Sequence, residues 1–382
     1  MNKKMLFFFP ENPFSKKGGN IIRAYSNLRI FKKLNIDVDL VGCEGFYKDS
    51  GEGFGLDYNY IKNFHLVGRK PTKNLLSLIY WKYKIIKLFS KENKSNFFLT
   101  ANFKDCFNKI LAENSYDYIV ISYEFWTDLI RNVNLKGATK IVDTHDWITL
   151  NEYYKNPKLD IGKKFNEEIQ NLNFYDKVVT ISRDEFQVFS NFLGDKVVNI
   201  PQGFPSHYEG NPKTFSEKKF DLIFVGSNNP FNVQAVKWFF EMVYPLLPKN
   251  LNLCFIGKIC EYFKEEPNVH LIPFAENLDD YYYDSKIAIC PMLEGTGIKI
   301  KVVEALSYGL PVVGTVKAVD GFNSKIQNGC MISNDASEFA ENIVKLLSTE
   351  SLYQSIVQEG ITFFDNHFTE KEVENDWKNI LN

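Results

Sequence analysis

Two successive trains of short apolar runs, each broken by longer stretches of helical periodicity, constrain this 382-residue chain more than any other feature. The first train comprises Met5–Phe9, Val38–Val41, Tyr118–Ser122, Lys140–Val142, Val178–Ile181 and Val197–Ile200. The second comprises Leu222–Val225, Leu253–Ile256, Val269–Ile272, Ile287–Cys290, Pro311–Val313 and Met331–Ile332. Runs this short and this continuously apolar have no wet face, so they belong in parallel sheets covered by helices on both sides. Between the first two runs, Ile22, Tyr25, Leu28, Ile30 and Phe31 recur at near-helical spacing. The pattern predicts an α/β chain of two doubly wound, Rossmann-like domains. From Pro201 to Ser216, proline, glycine and polar residues without apolar periodicity mark a linker. The expected organisation is residues 1–205, residues 206–362, and a C-terminal helix over 363–382 whose packing partner periodicity leaves open.

Composition narrows the partners. Lys and Arg total 45 against 47 Asp and Glu, a net charge of −2, so no strongly basic face is advertised and a nucleic-acid partner is not expected. With 45% hydrophobic and 24% charged residues the chain can build large cores without staples. None of the six cysteines forms a Cys-x-x-Cys pair, which reads as buried thiols in a reducing compartment. Met5–Phe9 is too short for a signal-peptide core, and no apolar run reaches the ~18 residues of a membrane span. The expectation is a soluble, cytoplasmic protein, at most peripheral to the inner face of a membrane.

The densest chemical signal is Ile287-Ala-Ile-Cys-Pro-Met-Leu-Glu-Gly-Thr-Gly-Ile-Lys-Ile-Lys-Val-Val-Glu-Ala-Leu-Ser-Tyr-Gly-Leu-Pro-Val-Val-Gly-Thr315. It reads as strand, glycine turn, helix, helix stop, strand. Gly295 and Gly297 permit a close, positive-φ approach to a ligand. The helix is predicted to start near Ile298 and stop at Gly309, with Pro311 just beyond. Its free N–H groups and positive dipole end suit a phosphate, and Lys299 and Lys301 add charge there. Glu304, one turn beyond Lys301, is an acceptor for two hydroxyl donors such as a ribose cis-diol.

The stretch Gly-Thr-Gly-x-Lys-x-Lys-Val-Val-Glu-Ala-Leu-x-x-Gly-Leu-Pro-Val-Val resembles the donor-site signature of family-4-type glycosyltransferases (glycosyl transferases group 1) of the GT-B fold. Three further stretches match in order. Gly18-Gly19 is similar to the N-terminal glycine loop. Asn199-Ile-Pro-Gln-Gly203 is similar to the segment that ends the first domain. Asp221-Leu-Ile-Phe-Val-Gly226-Ser227 is similar to the strand and phosphate loop that open the second. The resemblance implies two Rossmann-like domains facing a cleft, a nucleotide-diphosphate sugar (UDP or GDP sugar) as donor, and a glycan, lipid-linked or other hydroxyl acceptor. It implies transfer with retention, without a metal or prosthetic group, in bacterial surface-polysaccharide assembly. Residue by residue, it assigns Glu304 to the ribose, Gly226 and Ser227 to the diphosphate turn, and Gly297 and Ile298 to the helix end of the pyrophosphate site. Two departures matter. Thr296 stands where many members carry a second Glu, and Glu294 lies two residues too early to replace it. Ser227 and Asn232 stand where many carry Arg and Lys, so Lys299 or Lys301 must meet the diphosphate. Lys301 is favoured because it shares a face with Gly297 and Glu304. A GT-B-fold sugar-nucleotide epimerase and a non-catalytic subunit of a glycan complex are the alternatives.

In the first domain, His145 follows a strand and is flanked by Asp143 and Asp146, at the sheet end where open α/β sheets bind ligands. His145, Asp146 and Glu124 are the candidate catalytic residues, with Asp146 or Glu124 as base for an acceptor hydroxyl. Asp37 and Asp39 form an Asp-x-Asp pair, but alternate residues of a strand face opposite ways and do not share an ion readily. Lys62 to Lys94 interleaves nine Lys and Arg with aromatic and aliphatic residues against the single acid Glu92, a pattern fitted to an anionic membrane surface.

Overall fold

The computed structural model describes residues 2–15, 18–47, 55–68, 78, 80, 81, 99–210, 213–263 and 266–382. The chain forms two compact units. The first holds Met1–Ile181, Glu185–Ile200 and Glu374–Asn382, and the second holds Pro201–Val373 with Ser182–Asp184. Among the described residues the helices of eight residues or more are α1 (Gly19–Lys33), α2 (Ala101–Glu113), α3 (Ile148–Lys155), α4 (Ile161–Asn173), α5 (Arg183–Leu193), α6 (Pro230–Trp238), α7 (Ile300–Ser307), α8 (Ala336–Ser348), α9 (Glu350–His367) and α10 (Glu370–Ile380).

The first unit is built on a parallel sheet of β1 (Lys4–Phe8), β2 (Asp37–Cys43), β3 (Asn63–Val67), β4 (Tyr118–Ser122), β5 (Thr139–Asp143), β6 (Lys177–Thr180) and β7 (Val197–Asn199). Their spatial order is β3-β2-β1-β4-β5-β6-β7. The order reverses between β1 and β4, and the carboxyl ends of these two strands form the crevice typical of such sheets. Met5 to Phe8 are fully buried because both sheet faces are covered. Phe8 packs on Trp126 and Phe107 on one face, with ring centroids 5.0 and 5.7 Å away. On the other face Phe7 meets Phe31, which meets Trp377 of the C-terminal helix edge to face at 4.9 Å.

The second unit repeats the plan with β8 (Phe220–Val225), β9 (Leu253–Ile256), β10 (Val269–Ile272), β11 (Ser285–Cys290), β12 (Val312–Gly314) and β13 (Cys330–Ile332). The order is β10-β9-β8-β11-β12-β13, reversing between β8 and β11. All pairings are parallel in both sheets. This is the α/β class that the two trains of apolar runs predict.

Three local differences from the sequence reading have physical causes. Strand β3 is an edge strand with only Val67 buried, and its weak apolar signal was absorbed into the basic segment that begins at Lys62. Most of Lys62–Lys94, the stretch read as a membrane-docking surface, lies outside the described residues. Helix α7 begins at Ile300 instead of near Ile298, because Gly297 has φ +68° and Lys299 is extended. Residues 363–382 comprise the end of α9, a turn at Phe368–Thr369, and α10. From Glu374 onward they belong to the first unit, where the Leu381 carbonyl accepts from Lys3 Nζ at 2.7 Å and from the Tyr118 hydroxyl.

Candidate functional site

At the β8/β11 switch of the second unit, the chain leaves β8 through Gly226 and Ser227. A Cβ on Gly226 would lie 2.7 Å from the Phe224 ring. The neighbouring Gly257, at φ +103°, leaves its own Cβ position only 2.4 Å from the Gly226 carbonyl oxygen. Two glycines thus let adjacent loops meet backbone to backbone. Asn229 caps α6 by accepting from the Asn232 N–H at 2.9 Å, with Pro230 pre-set for the first turn. The Asn232 side-chain NH2 donates to the Ser227 carbonyl at 2.9 Å, so its oxygen faces the other way.

That oxygen accepts from Lys301 Nζ at 2.6 Å. The same ammonium lies 4.2 Å from the Phe224 ring centroid and 3.8 Å from the Met292 sulfur. An amide, a ring and a thioether are all neutral, so the cation has no described counter-charge. Burial, with the positive charge of Lys299 adding to it and Cys290 opposing it only in part, pushes the lysine down to about 8. Lys299 has a different task. Its Nζ donates to the carbonyls of Gly297 at 2.8 Å and Thr296 at 3.2 Å, and so braces the glycine turn from inside.

On the next turn of α7, Glu304 Oε2 accepts from the Tyr282 hydroxyl at 2.9 Å. Burial raises the Glu304 carboxyl above its ordinary value, and the Tyr282 bond works against that rise. Tyr282 is itself held in a stack, 4.5 Å from the Tyr308 ring, which lies 4.3 Å from His207. The Tyr308 hydroxyl donates to Asp279. Glu294 is exposed and accepts from Gln234 at 3.2 Å.

In the first unit, Gly18 opens α1 at φ +105° without a side-chain cap, leaving the first N–H groups of Gly19 and its successors for other acceptors. His145 stands at the end of β5 in the left-handed region, φ +58°, with its ring stacked between Tyr123 at 4.7 Å and Phe9 at 5.6 Å. Its Nε2 is 3.1 Å from Ser122 Oγ and 3.3 Å from Asp143 Oδ2, and its Nδ1 is buried without a hydrogen-bond partner. Burial pushes His145 down to about 4, so it is neutral at neutral pH. Asp143 is fully buried too, yet Arg23 holds its carboxyl below the ordinary value. Arg23 donates from Nε at 3.0 Å and from Nη2 at 2.7 Å, and the Asn27 amide adds a bond at 3.0 Å.

Asp146 is half-buried and accepts from the Asn151 amide of α3. Glu124 is 3% exposed, on a turn packed against α4, with Oε2 buried and unpartnered. Burial, reinforced by the negative Glu168, pushes it up to about 8. Asp39 accepts from the Tyr116 hydroxyl at 2.8 Å and from Asn63 at 2.7 Å. Asp37 accepts from Asn2 at 3.3 Å. Among the described residues no three His, Cys, Asp or Glu side chains gather as metal ligands.

Neither Arg23 and Asn27 nor Tyr282 is singled out by a motif in the sequence. Arg23 and Asn27 do leave a trace, as polar residues spaced four apart on the α1 face that buries Ala24, Leu28 and Phe31. Tyr282 sits among three consecutive tyrosines, and nothing in the sequence distinguishes it from its neighbours.

The two parallel Rossmann-like units have the GT-B fold. Residues 219–349 match the family model described as glycosyl transferases group 1. Together, match and fold support a group 1 glycosyltransferase. Among known proteins, the chain is 22% identical to a Klebsiella pneumoniae protein described as an uncharacterized 44.6 kDa protein in the cps region, over 97% of both chains. It is 26% identical to an uncharacterized glycosyltransferase of Haemophilus influenzae over 119 residues, which cover 30% of this chain and 33% of that protein. Among solved structures it is similar to Anabaena HepE in complex with UDP, with TM-score 0.68, 12% identity and 99% of each chain covered. It is also similar to a mutant of S. aureus TarM in complex with fondaparinux, α-GlcNAc-glycerol and UDP, with TM-score 0.65, 15% identity and 100% of each chain covered.

Proposed function

We propose that this protein transfers a sugar from a nucleoside-diphosphate sugar to a hydroxyl of a glycan or lipid-linked acceptor, in the assembly of a bacterial surface polysaccharide. The observation that carries the reading is Lys301. Its half-buried cation has no counter-charge among the described residues and rests on the Asn232–Ser227 turn at the sheet's switch point, one helical turn before Glu304. An anion with a diol attached at one side answers both needs, and a nucleoside diphosphate is such a ligand. Lys301 and the N–H groups of the Gly226–Ser227 and Gly297–Ile298 turns neutralise the leaving diphosphate as the anomeric bond breaks, a role that asks for no metal. Lys299 keeps the second of these turns in shape, and Glu304 takes the ribose hydroxyls. Asp146, with access to solvent, is the better placed base for the acceptor hydroxyl than the sealed Glu124, while His145 and the Gly18–Gly19 turn serve the transferred sugar. A uridine nucleotide is the first candidate, since structurally similar HepE was crystallised with UDP and with UDP-glucose. The Klebsiella relative from the cps region supports the polysaccharide setting.

The test is thermal stabilisation by UDP, GDP, ADP, dTDP and CMP, on the wild type and on Glu304→Ala. A nucleotide at 100 times its Kd should add about 2.7 kcal/mol. One nucleotide should stabilise the wild type and lose that effect in the variant. No shift with any of the five overturns the donor site.

A further inference from the structure

Within the first unit, the polar groups behind His145 form one continuous buried chain. Asp143 Oδ2, 3.3 Å from His145 Nε2, also accepts from the Asn27 side-chain NH2 at 3.0 Å. Asn27 Oδ1 accepts from the indole N–H of Trp377 at 3.2 Å. Trp377 and Asp143 are fully buried and Asn27 is 2% exposed, so water does not substitute for any link. The direction of the chain follows from the chemistry of its ends. An indole nitrogen only donates and a carboxylate only accepts, so Asn27 has a single orientation that satisfies both. A carboxylate held in place beside Nε2 favours the imidazole proton there, and leaves Nδ1 as the lone-pair nitrogen.

We infer that Trp377, on the C-terminal helix, is a positioning residue for the candidate transfer site, acting through Asn27 and Asp143 on the orientation and tautomer of His145. Helix α10 thereby does more than cover α1, where the Trp377 ring meets Phe31. With its N–H removed, the Asn27 oxygen is left buried without a donor, the amide is released to turn, and Asp143 loses one of the groups that aim it at His145. The inference rests on the reading of His145 as part of the transfer machinery.

The test uses the full chain with 15N-labelled histidine. Trp377→Phe retains the ring against Phe31 and removes only the donor. The expected result is a redistribution of the His145 proton from Nε2 towards Nδ1 in the 15N spectrum. In steady state, kcat should fall about tenfold with the donor KM within about twofold, as for a displaced reacting group and not for lost binding. Asn27→Ser should do the same, and the double variant should be no slower than Asn27→Ser alone. Should Trp377→Phe not fold, Asn27→Ser carries both readouts. An unmoved His145 tautomer, a fall in kcat without a tautomer change, a tautomer change without a fall in kcat, or additive losses in the double variant each overturns the inference. Should no donor support transfer by the wild type, the function proposed above fails while the tautomer measurement still decides the chain from Trp377 to His145.

Discussion

Replacing Lys301 by Met should abolish two opposite pH trends of the wild type, a rise in stability and a fall in donor affinity, because one charge sets both. Methionine retains the unbranched stem and removes the ammonium. In the folded chain burial brings the lysine down to about 8, whereas in the unfolded chain it keeps the ordinary value of 10.5. Between those values the unfolded state binds the proton and the folded state does not, so stability rises with pH across that window. At about 1.4 kcal/mol per pH unit, wild-type stability should gain about 2 kcal/mol between pH 8 and 9.5 from this group. Lys301→Met should lack that gain when both are unfolded in urea at the two pH values. Donor binding runs the other way. A charge-assisted bond to phosphate is worth about 1.5–3 kcal/mol, so at pH 7 the variant should bind the preferred nucleoside diphosphate about ten- to a hundredfold more weakly. Wild-type affinity should fall by up to about tenfold per unit as pH rises above 8, and the variant's affinity should stay flat. Equal pH slopes of stability in the two proteins, or unchanged nucleotide affinity in Lys301→Met, would refute the assignment of this cation to the diphosphate.

Three further outcomes follow from the same geometry. Gly257→Ala puts a methyl group 2.4 Å from the Gly226 carbonyl oxygen at a positive φ, and should cost about 2–4 kcal/mol in denaturant unfolding. Glu124→Gln replaces a buried carboxyl raised to about 8. The folded state holds that proton above the ordinary carboxylate value, so wild-type stability falls as pH rises from 4.5 to 8. The glutamine variant should be about 3–4 kcal/mol more stable than wild type at pH 7.5, and the advantage should vanish near pH 4.5. Asp143→Asn leaves the buried Arg23 without its anion and should destabilise by about 3–5 kcal/mol; a thermal shift within error would show that the pair is dispensable.

The apolar runs alone determined the two parallel sheets, because strands buried on both faces must be continuously apolar and the helices between them must be periodic. Twelve of the thirteen strands among the described residues are legible this way, and edge strand β3, half covered, is not. The glycine turn, the helix stop at Gly309 and the acidic position Glu304 are likewise local: each depends on backbone freedom or on residues within one helical turn. Sequence spacing also preferred Lys301 over Lys299. Only the tertiary structure separates the two ammonium groups: Nζ of Lys299 turns onto the loop carbonyls, and that of Lys301 reaches Asn232, 69 positions away. Side chains on different strands meet only when the sheet forms. Hence the Arg23–Asp143 pair, the stacking of His145 between Phe9 and Tyr123, and the sealing of Glu124 were invisible in the linear chain. The C-terminal helix shows the division most clearly. Its periodicity announces a helix, but hydrogen bonds from residues far apart in sequence decide that Trp377 sits behind Asn27 in the first unit.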